Sequence, residues 1–168
     1  MLAAAAAGNE IAFRRVIAGH HEDMRRVCRA IAGDDVIADE AVQAAWVVAW
    51  KKLHQVRGPA QLRPWLVSVA ANEVRLLLRK RRRRAEIELP VDAALEWSGG
   101  DTSMSAAELD LLAALARMDP DDATLLAMRY VVGFDATELG LATGKSPAAI
   151  RQRLKRLLDR LHEELGDD

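Results

Sequence analysis

Six consecutive cationic side chains, Arg79 to Arg84, end an otherwise apolar segment of helical pattern. Four polar residues of that segment are spaced by four, three and four positions, which places them on one face of a helix. They are Ser68, Asn72, Arg75 and Arg79. Their hydroxyl, amide and guanidinium groups can hydrogen-bond to base edges and to phosphates. One or two cations would be enough to complement a helix dipole, so a run of six predicts contact with nucleic acid.

A second cationic face is expected on the last helical segment, which follows Ser146 and Pro147. Six cations and one acid lie between residues 145 and 160. Helical spacing predicts that the inward positions are Ile150, Leu154, Leu157, Leu161 and Leu165. The exposed positions are then Arg151, Gln152, Lys155 and Arg156. Arginine and glutamine can pair with guanine and adenine edges, and a short glycine-containing turn joins this segment to the helix before it. The pattern therefore predicts a helix-turn-helix whose second helix enters the major groove.

The formal net charge of −1 conceals a strong asymmetry along the chain. Residues 1–84 have a net charge of +8, residues 85–113 one of −7 without any lysine or arginine, and residues 114–168 one of −2. Charge blocks of this kind indicate a polyanion-binding part beside an acidic part. The single cysteine favours a reducing compartment, so we expect a cytoplasmic protein. No apolar run approaches the length of a membrane span, and we expect no membrane insertion.

No constellation of residues predicts catalysis. His20 and His21 are adjacent, so they point in different directions on a helix and have no nearby cysteine with which to bind zinc. Cys28 falls on the apolar side of its helix, as expected of a small buried side chain and not of a nucleophile. The chain has no glycine-rich phosphate loop. We therefore expect no enzyme activity, no metal and no cofactor.

The helical periodicity predicts an all-α fold of two small helical modules joined by an acidic linker. The first module is expected over residues 10–84, the linker over 85–105 and the second module over 106–165. In the first module, a helix that ends at Gly33 should bury Ile11. After a loop around Gly58, the cationic helix should begin near Pro64.

Several residues of the C-terminal module predict where its helices begin and end. Asp119 is expected to cap a helix that has Pro120 at its first position. Asp135 and Glu138 have the spacing of a capping box, and Gly144 can make the turn that follows.

Trp46 and Trp50 lie four residues apart on the second helix, beside Asp39, Glu40 and Gln43. Two tryptophans at this spacing usually belong to a core. The alternative is that the polar side of this helix docks on a protein partner, and periodicity leaves both possibilities open.

Three segments, in this order, resemble the extracytoplasmic-function (ECF) sigma factors, the smallest members of the bacterial sigma-70 family. The segment DEAVQAAWVVAWKKL is similar to the family's polymerase-binding segment. The segment RPWLVSVAANEVRLLLRKRRRR resembles the helix that melts and reads the minus-ten element. The region from LDLLAALARMDP to RLKRLLDRL resembles region four, which reads the minus-thirty-five element. One departure is Gly140, at a position where alanine is common.

The resemblance implies partners and residue roles. The partners are bacterial core RNA polymerase, promoter DNA and an anti-sigma factor. Contact with the β′ clamp helices is implied for Asp39, Glu40, Gln43 and Trp46, and region four would meet the β flap. Contact with the minus-ten strand is implied for Arg57, Arg63, Asn72, Arg75, Arg79 and Lys80, with a flipped-out base held by the loop from Arg57 to Arg63. Contact with the minus-thirty-five element is implied for Arg151, Gln152, Lys155 and Arg156.

Two other functions are compatible with the residues alone. A stand-alone regulator would bind duplex DNA through the helix-turn-helix and would need no polymerase, but it leaves the cationic helix of the first module unexplained. A helical adaptor would use the basic run to bind an acidic partner or RNA, and would show no promoter preference.

Overall fold

The computed structural model describes residues 1–88, 113–115 and 117–166. These residues form helices and no strand, which confirms the predicted all-α fold. The N-terminal module comprises α1 (Leu2–Ala6), α2 (Glu10–Ala32), α3 (Asp35–Lys52), a 3₁₀ turn (Leu53–Gln55) and α4 (Pro59–Glu88). The C-terminal module comprises α5 (Pro120–Leu126), a π-helical turn (Ala127–Val131), α6 (Ala136–Thr143) and α7 (Pro147–Gly166).

Most predicted helix boundaries are confirmed by their capping contacts. Gly33 ends α2 in the left-handed conformation, and its N–H donates to the Arg29 carbonyl. Asp119 accepts hydrogen bonds from the first backbone N–H groups of α5. Asp135 and Glu138 form the complete capping box of α6. Each cap satisfies backbone groups that a helix end otherwise leaves unpaired.

Two details of the N-terminal module differ from the prediction. The cationic helix α4 begins at Pro59, one turn before Pro64, which lies inside the helix. Pro59 takes the first helical position, where a missing N–H costs nothing, and the Gln61 N–H bonds back to the Gly58 carbonyl. Ile11 was predicted to be buried but is 68% exposed, because Ala12, Phe13 and Val16 supply the inward face of that turn.

α4 is helical through Glu88, so the first four residues of the predicted linker continue the helix. Residues 89–105 of the predicted linker lie outside the described residues, as do residues 106–112 of the predicted C-terminal module.

The N-terminal module is held together by a core between α2, α3 and α4. Its centre contains fully buried side chains from all three helices: Val16, Met24, Val27, Val42, Leu66, Val67 and Val74. Cys28 is buried in the same core, as predicted, and its thiol donates to the Ala70 carbonyl. Burial raises the pKa of Cys28 to about 12. The thiol is therefore a protonated packing group and not a nucleophile.

The buried thiol predicts a loss of stability at alkaline pH. The folded protein keeps Cys28 protonated, whereas the unfolded chain ionises it above a pH of about 8.5. The stabilisation from the protonated thiol is thus complete below that pH and is lost as the pH rises towards the folded pKa. Between pH 8 and pH 10 we expect the free energy of unfolding in urea to fall by roughly 1.5–2 kcal/mol more in the wild type than in Cys28→Ala. Equal losses of stability in both proteins would show that the alkaline destabilisation does not come from Cys28.

The two modules pack against each other through α4 and α2 of the N-terminal module. α6 lies against α4, and the π-helical turn and α5 lie against α2. This arrangement brings side chains that the sequence assigned to DNA beside acids of the C-terminal module.

Candidate nucleic-acid and polymerase-binding surfaces

The polar face of α4 is only partly open to solvent. Asn72, Arg79 and Lys80 are exposed, whereas Ser68 and Arg75 are half-buried. The Ser68 hydroxyl donates to the Trp65 carbonyl of its own helix, 2.7 Å away. The face therefore presents the amide of Asn72 and the guanidinium of Arg79 to solvent, with the exposed Lys80 beside them. The Ser68 hydroxyl is engaged within the helix.

The basic run on the last turns of α4 is exposed along its whole length. Arg81 reaches across to α3, where its guanidinium lies 2.9 Å from the Glu40 carboxylate. Both side chains are about half-exposed, so this ion pair is easily exchanged for another partner. The remaining cations form a concentrated positive surface of the kind that attracts a nucleic-acid backbone.

The Arg63 guanidinium is engaged at each of its nitrogens. Its three nitrogens donate to the Asp23 carboxylate at 2.7 Å, the Glu138 carboxylate at 2.7 Å and the Val132 carbonyl at 3.1 Å. The guanidinium also lies over the Phe134 ring, 4.7 Å from its centre. Burial acts against the charged guanidinium, but the hydrogen bonds to the two carboxylates outweigh it and raise the pKa of Arg63. Sequence reasoning assigned Arg63 to DNA and gave no indication of these partners.

Arg75 is paired across the modules as well. Its guanidinium forms an ion pair with Asp121, in the first turn of α5. By contrast, Arg57 lies just before α4 and its side chain is exposed. Of the six residues predicted to meet the minus-ten strand, the structure thus leaves Arg57, Asn72, Arg79 and Lys80 open and engages Arg63 and Arg75.

His20 lies on α2 beside this contact between modules. Its Nδ1 atom is buried without a hydrogen-bond partner among the described residues. Burial lowers the pKa of His20, and the neighbouring Arg63 acts in the same direction, while Asp23 opposes both. The ring is therefore held neutral next to the Arg63 guanidinium.

The face of α3 predicted to meet polymerase is exposed to solvent, with Asp39 paired to Arg25 at 3.1 Å and Glu40 paired to Arg81. Asp39, Glu40 and Gln43 are exposed. Trp46 is half-buried, and its indole N–H donates to Nδ1 of His21, which fixes the ring. Trp46 therefore belongs in part to the core, and docking of this helix on a protein partner stays a prediction.

The sequence analysis missed two apolar residues on the same face of α3, Val36 and Val47. Val36, Val47 and Trp50 are exposed, and Trp50 packs its ring edge-on against Phe13 at 4.8 Å. The spacing of both valines from Glu40 and Gln43 follows the helical repeat, which is the signal that could have identified them. Large exposed apolar side chains between exposed polar ones are typical of a protein-binding surface.

The helix-turn-helix has the predicted turn. Gly144 ends α6 in the left-handed conformation, and the Ser146 hydroxyl accepts a hydrogen bond from the Ala149 N–H in the first turn of α7. Gly140 is required by the close approach of the chain, because a Cβ atom there would lie 2.7 Å from the Lys145 carbonyl oxygen. An alanine at this position would push α6 and the turn apart.

The second helix of this motif separates its inward and outward faces as predicted. Ile150, Leu154 and Leu157 are buried, and Leu161 is partly buried. The side chain of Leu165 lies outside the described set. The four residues predicted to contact DNA are all exposed: Arg151, Gln152, Lys155 and Arg156.

Arg153 interrupts the exposed series because it turns inward to Asp122. Two of its nitrogens lie 2.9 and 2.6 Å from one Asp122 oxygen, and Arg160 binds the other oxygen at 3.2 Å. Asp122 is only 14% exposed, so α5 orients α7 through a shielded carboxylate. The signal for Arg153 was its spacing of three and four from Ile150 and Leu157, which places it towards the core.

Within residues 1–88, 113–115 and 117–166, no group of three or more potential ligands is placed to hold a metal ion. None of the helices described is both long enough and apolar enough to cross a membrane.

Two sequence models of one protein family match the chain. The model for sigma-70 region 2 matches residues 16–84, and the model for sigma-70 region 4 matches residues 108–161. The two matches follow the order of the two modules, and between them they cover most of the chain.

Curated relatives carry the same description. The probable RNA polymerase sigma factor RfaY of Xanthomonas campestris is 29% identical over 96% of this chain, which spans only 42% of the RfaY sequence. The RNA polymerase sigma factor CarQ of Myxococcus xanthus is 27% identical over 95% of this chain and 92% of its own. The ECF RNA polymerase sigma factor SigM of Mycobacterium tuberculosis is 24% identical over 99% of this chain and 83% of its own.

Two solved structures share the fold. CnrH, in complex with the cytosolic domain of CnrY, superimposes with a TM-score of 0.72 at 24% identity, over 99% of this chain and 96% of CnrH. The sigma factor RpoE of Bartonella quintana, in complex with the anti-sigma factor NepR, gives a TM-score of 0.70 at 21% identity, over 94% of this chain and 98% of RpoE. The family-model matches and the relatives identify this chain as a member of the sigma-70 family of RNA polymerase sigma factors, in its extracytoplasmic-function group.

Proposed function

We propose that this sigma factor directs core RNA polymerase to two-part promoters by opening the minus-ten element along α4 and reading the minus-thirty-five element with α7. The observation that carries the proposal is the presence of one exposed cationic face in each module. One combines Asn72 with Arg79 and Lys80 at the end of α4, and the other lies on the second helix of the helix-turn-helix. A factor that reads two separated elements needs such a face in each module.

The proposal assigns each segment of the chain to one part of a sigma factor. Region two corresponds to residues 10–84, an acidic linker to residues 85–105, and region four to residues 106–165. The protein would act by binding alone, because RNA synthesis belongs to the polymerase. It would work in the cytoplasm, where the polymerase meets the chromosome.

Polymerase contact is assigned to the exposed face of α3. Asp39, Glu40 and Gln43 provide acidic and amide groups, and Trp46 provides a ring that is held in place by its hydrogen bond to His21. We assign the β′ clamp helices to this face, with region four on the β flap. The exposed Val36, Val47 and Trp50 extend the face with apolar area, which fits a protein partner better than a nucleic acid.

Recognition of the minus-thirty-five element is assigned to the four exposed polar residues of α7, and Arg156 provides the clearest test. If its guanidinium pairs with a guanine edge, Arg156→Ala should weaken binding of the cognate duplex by about 1–3 kcal/mol and relax specificity at one base pair. Competition binding with duplexes that vary one base at a time measures both effects. Arg14→Ala, which removes the same charge from an exposed position of α2, is the control for altered surface charge. An equal loss of affinity for every sequence would show that Arg156 contacts phosphate only.

An anti-sigma factor is the proposed regulator of this protein. The two structures with the same fold were solved with CnrY and with the anti-sigma factor NepR, which supports a partner of this class here. Such a partner would compete with polymerase for the exposed face of α3.

The experiment that tests the function is run-off transcription with bacterial core polymerase on fragmented host DNA, with and without this protein. New start sites that share a two-part upstream motif are the expected result. No new starts with a folded protein and active core enzyme, together with tight duplex binding in the absence of polymerase, would favour the stand-alone regulator instead.

A further inference from the structure

Two acids of the C-terminal module bind two arginines that the proposed function assigns to promoter DNA. Glu138 of α6 lies 2.7 Å from Arg63, and Asp121 of α5 pairs with Arg75. Both arginines belong to α4, and both acids come from the other module. A carboxylate and a DNA phosphate both offer negatively charged oxygen acceptors to a guanidinium.

Each nitrogen of the Arg63 guanidinium already has one protein partner. Asp23 engages one nitrogen from within the N-terminal module, while Glu138 and the Val132 carbonyl engage the other two from the C-terminal module. The fully buried Phe134 covers the flat side of the group. For DNA to take over these hydrogen bonds, the contacts to Glu138 and Val132 of the C-terminal module must break.

Partial burial makes these contacts stronger than an ordinary surface ion pair. The side chains of Arg63, Asp23 and Glu138 are each about one-fifth to one-third exposed, and Arg75 is 25% exposed. Charges removed from water to this extent attract each other more strongly and are screened less by salt. Asp121 is 61% exposed, so its pairing with Arg75 adds the smaller share.

Glu138 connects this contact to the helix-turn-helix itself. One of its oxygens binds Arg63, and the other accepts a hydrogen bond from the Asp135 N–H in the capping box of α6. The position of the DNA-reading helix pair and the engagement of Arg63 are therefore coupled through a single carboxylate.

We propose that Asp121 and Glu138 form an internal, competitive mask over the single-strand-binding face of α4, so that the free protein holds its modules closed and promoter DNA displaces the two acids. The proposal rests on the proposed function for the identity of the competitor, and the closed contact is a property of this chain alone. Masking lowers the apparent affinity for single-stranded DNA by the fraction of molecules that are open.

The test is the pair of substitutions Asp121→Asn and Glu138→Gln in one protein. Both keep the side-chain size, and glutamine is an accepted residue of a capping box, so α6 should stay folded. The matched control is Asp159→Asn with Glu163→Gln, which removes the same charge from exposed positions of α7. Circular dichroism of each variant checks that its helix content is unchanged.

Two measurements are made on the full chain. Spin labels at Lys51→Cys and Lys145→Cys, both exposed, report the distance between modules after Cys28 is replaced by alanine. Fluorescence anisotropy measures binding of a mixed-sequence single strand of about 12 nucleotides. If nine in ten molecules are closed, the double variant should bind about tenfold more tightly than the wild type and should show a longer, broader distance distribution.

The outcomes separate the mask from the proposed function. A gain in affinity together with module opening, absent from the control, supports the mask. A double variant that stays closed overturns it, and so does one that opens without any gain in affinity over the control. Run-off transcription by the wild-type protein is scored separately, since a sigma factor without this mask would still produce promoter-specific starts.

Discussion

Replacing Arg75 and Arg79 together with alanine should abolish promoter opening while leaving polymerase binding intact. Arg79 is exposed at the start of the basic run, and Arg75 lies one helical turn before it on the same face. Each hydrogen bond to a charged group contributes about 1.5–3 kcal/mol, so losing two should reduce the open complex about 100-fold or more. Permanganate reactivity of unpaired thymines measures opening, and co-migration with core polymerase measures binding.

The control for this prediction is Arg14→Ala with Arg26→Ala. Both residues are exposed on α2, and the pair removes the same charge at a distance from the polar face of α4. We expect this protein to open promoters nearly as well as the wild type. If the Arg75 and Arg79 variant instead fails to bind polymerase, the separation of DNA contacts on α4 from polymerase contacts on α3 is wrong.

The features of the fold that could be predicted are those that depend on residues close in sequence. The caps at Asp119, Asp135 and Gly144 require only a few neighbouring positions, and all were identified from the sequence. The start of α4 was placed one turn too late, because Pro59 and Pro64 can both occupy a first turn and only the packed helix selects between them. Ile11 was misassigned for a similar reason, since both faces of that turn carry apolar residues.

The exposed part of the candidate site followed from periodicity, and its internal contacts did not. Helical spacing placed Arg151 and Arg156 on the outer face of α7, where the structure has them. The partners of Arg63 are 40 residues away at Asp23 and 75 residues away at Glu138. Such pairings depend on how the modules dock, for which a single sequence contains no periodic signal. The result is that a residue assigned to DNA is, in the free chain, a contact between modules.

Phe134→Ala should be among the most destabilising single substitutions in the C-terminal module. The ring is fully buried, and truncating a buried phenylalanine to alanine costs about 3–5 kcal/mol. That is comparable with the whole stability of many small domains, so the helix-turn-helix should unfold at the temperature where the wild type is native. Hydrogen exchange should show lost protection in α6 and α7 and retained protection in α2 and α3.

The matched control is Tyr130→Ala, an aromatic truncation four residues earlier in the same module. Tyr130 is 51% exposed, and an exposed side chain of this kind should change stability by about 0.5 kcal/mol or less. Phe134→Leu provides a second comparison, because it retains most of the buried volume but removes the ring beneath the Arg63 guanidinium. It should leave the helix-turn-helix folded and weaken the contact between modules by about 0.5–2 kcal/mol, the range of a cation–π contact.

Equal hydrogen exchange in the Phe134→Ala and Tyr130→Ala proteins would mean that the C-terminal module does not depend on this ring. Loss of protection in α2 and α3 as well would mean that the two modules unfold as one unit, which would require a stronger contact at Arg63 than its hydrogen bonds predict.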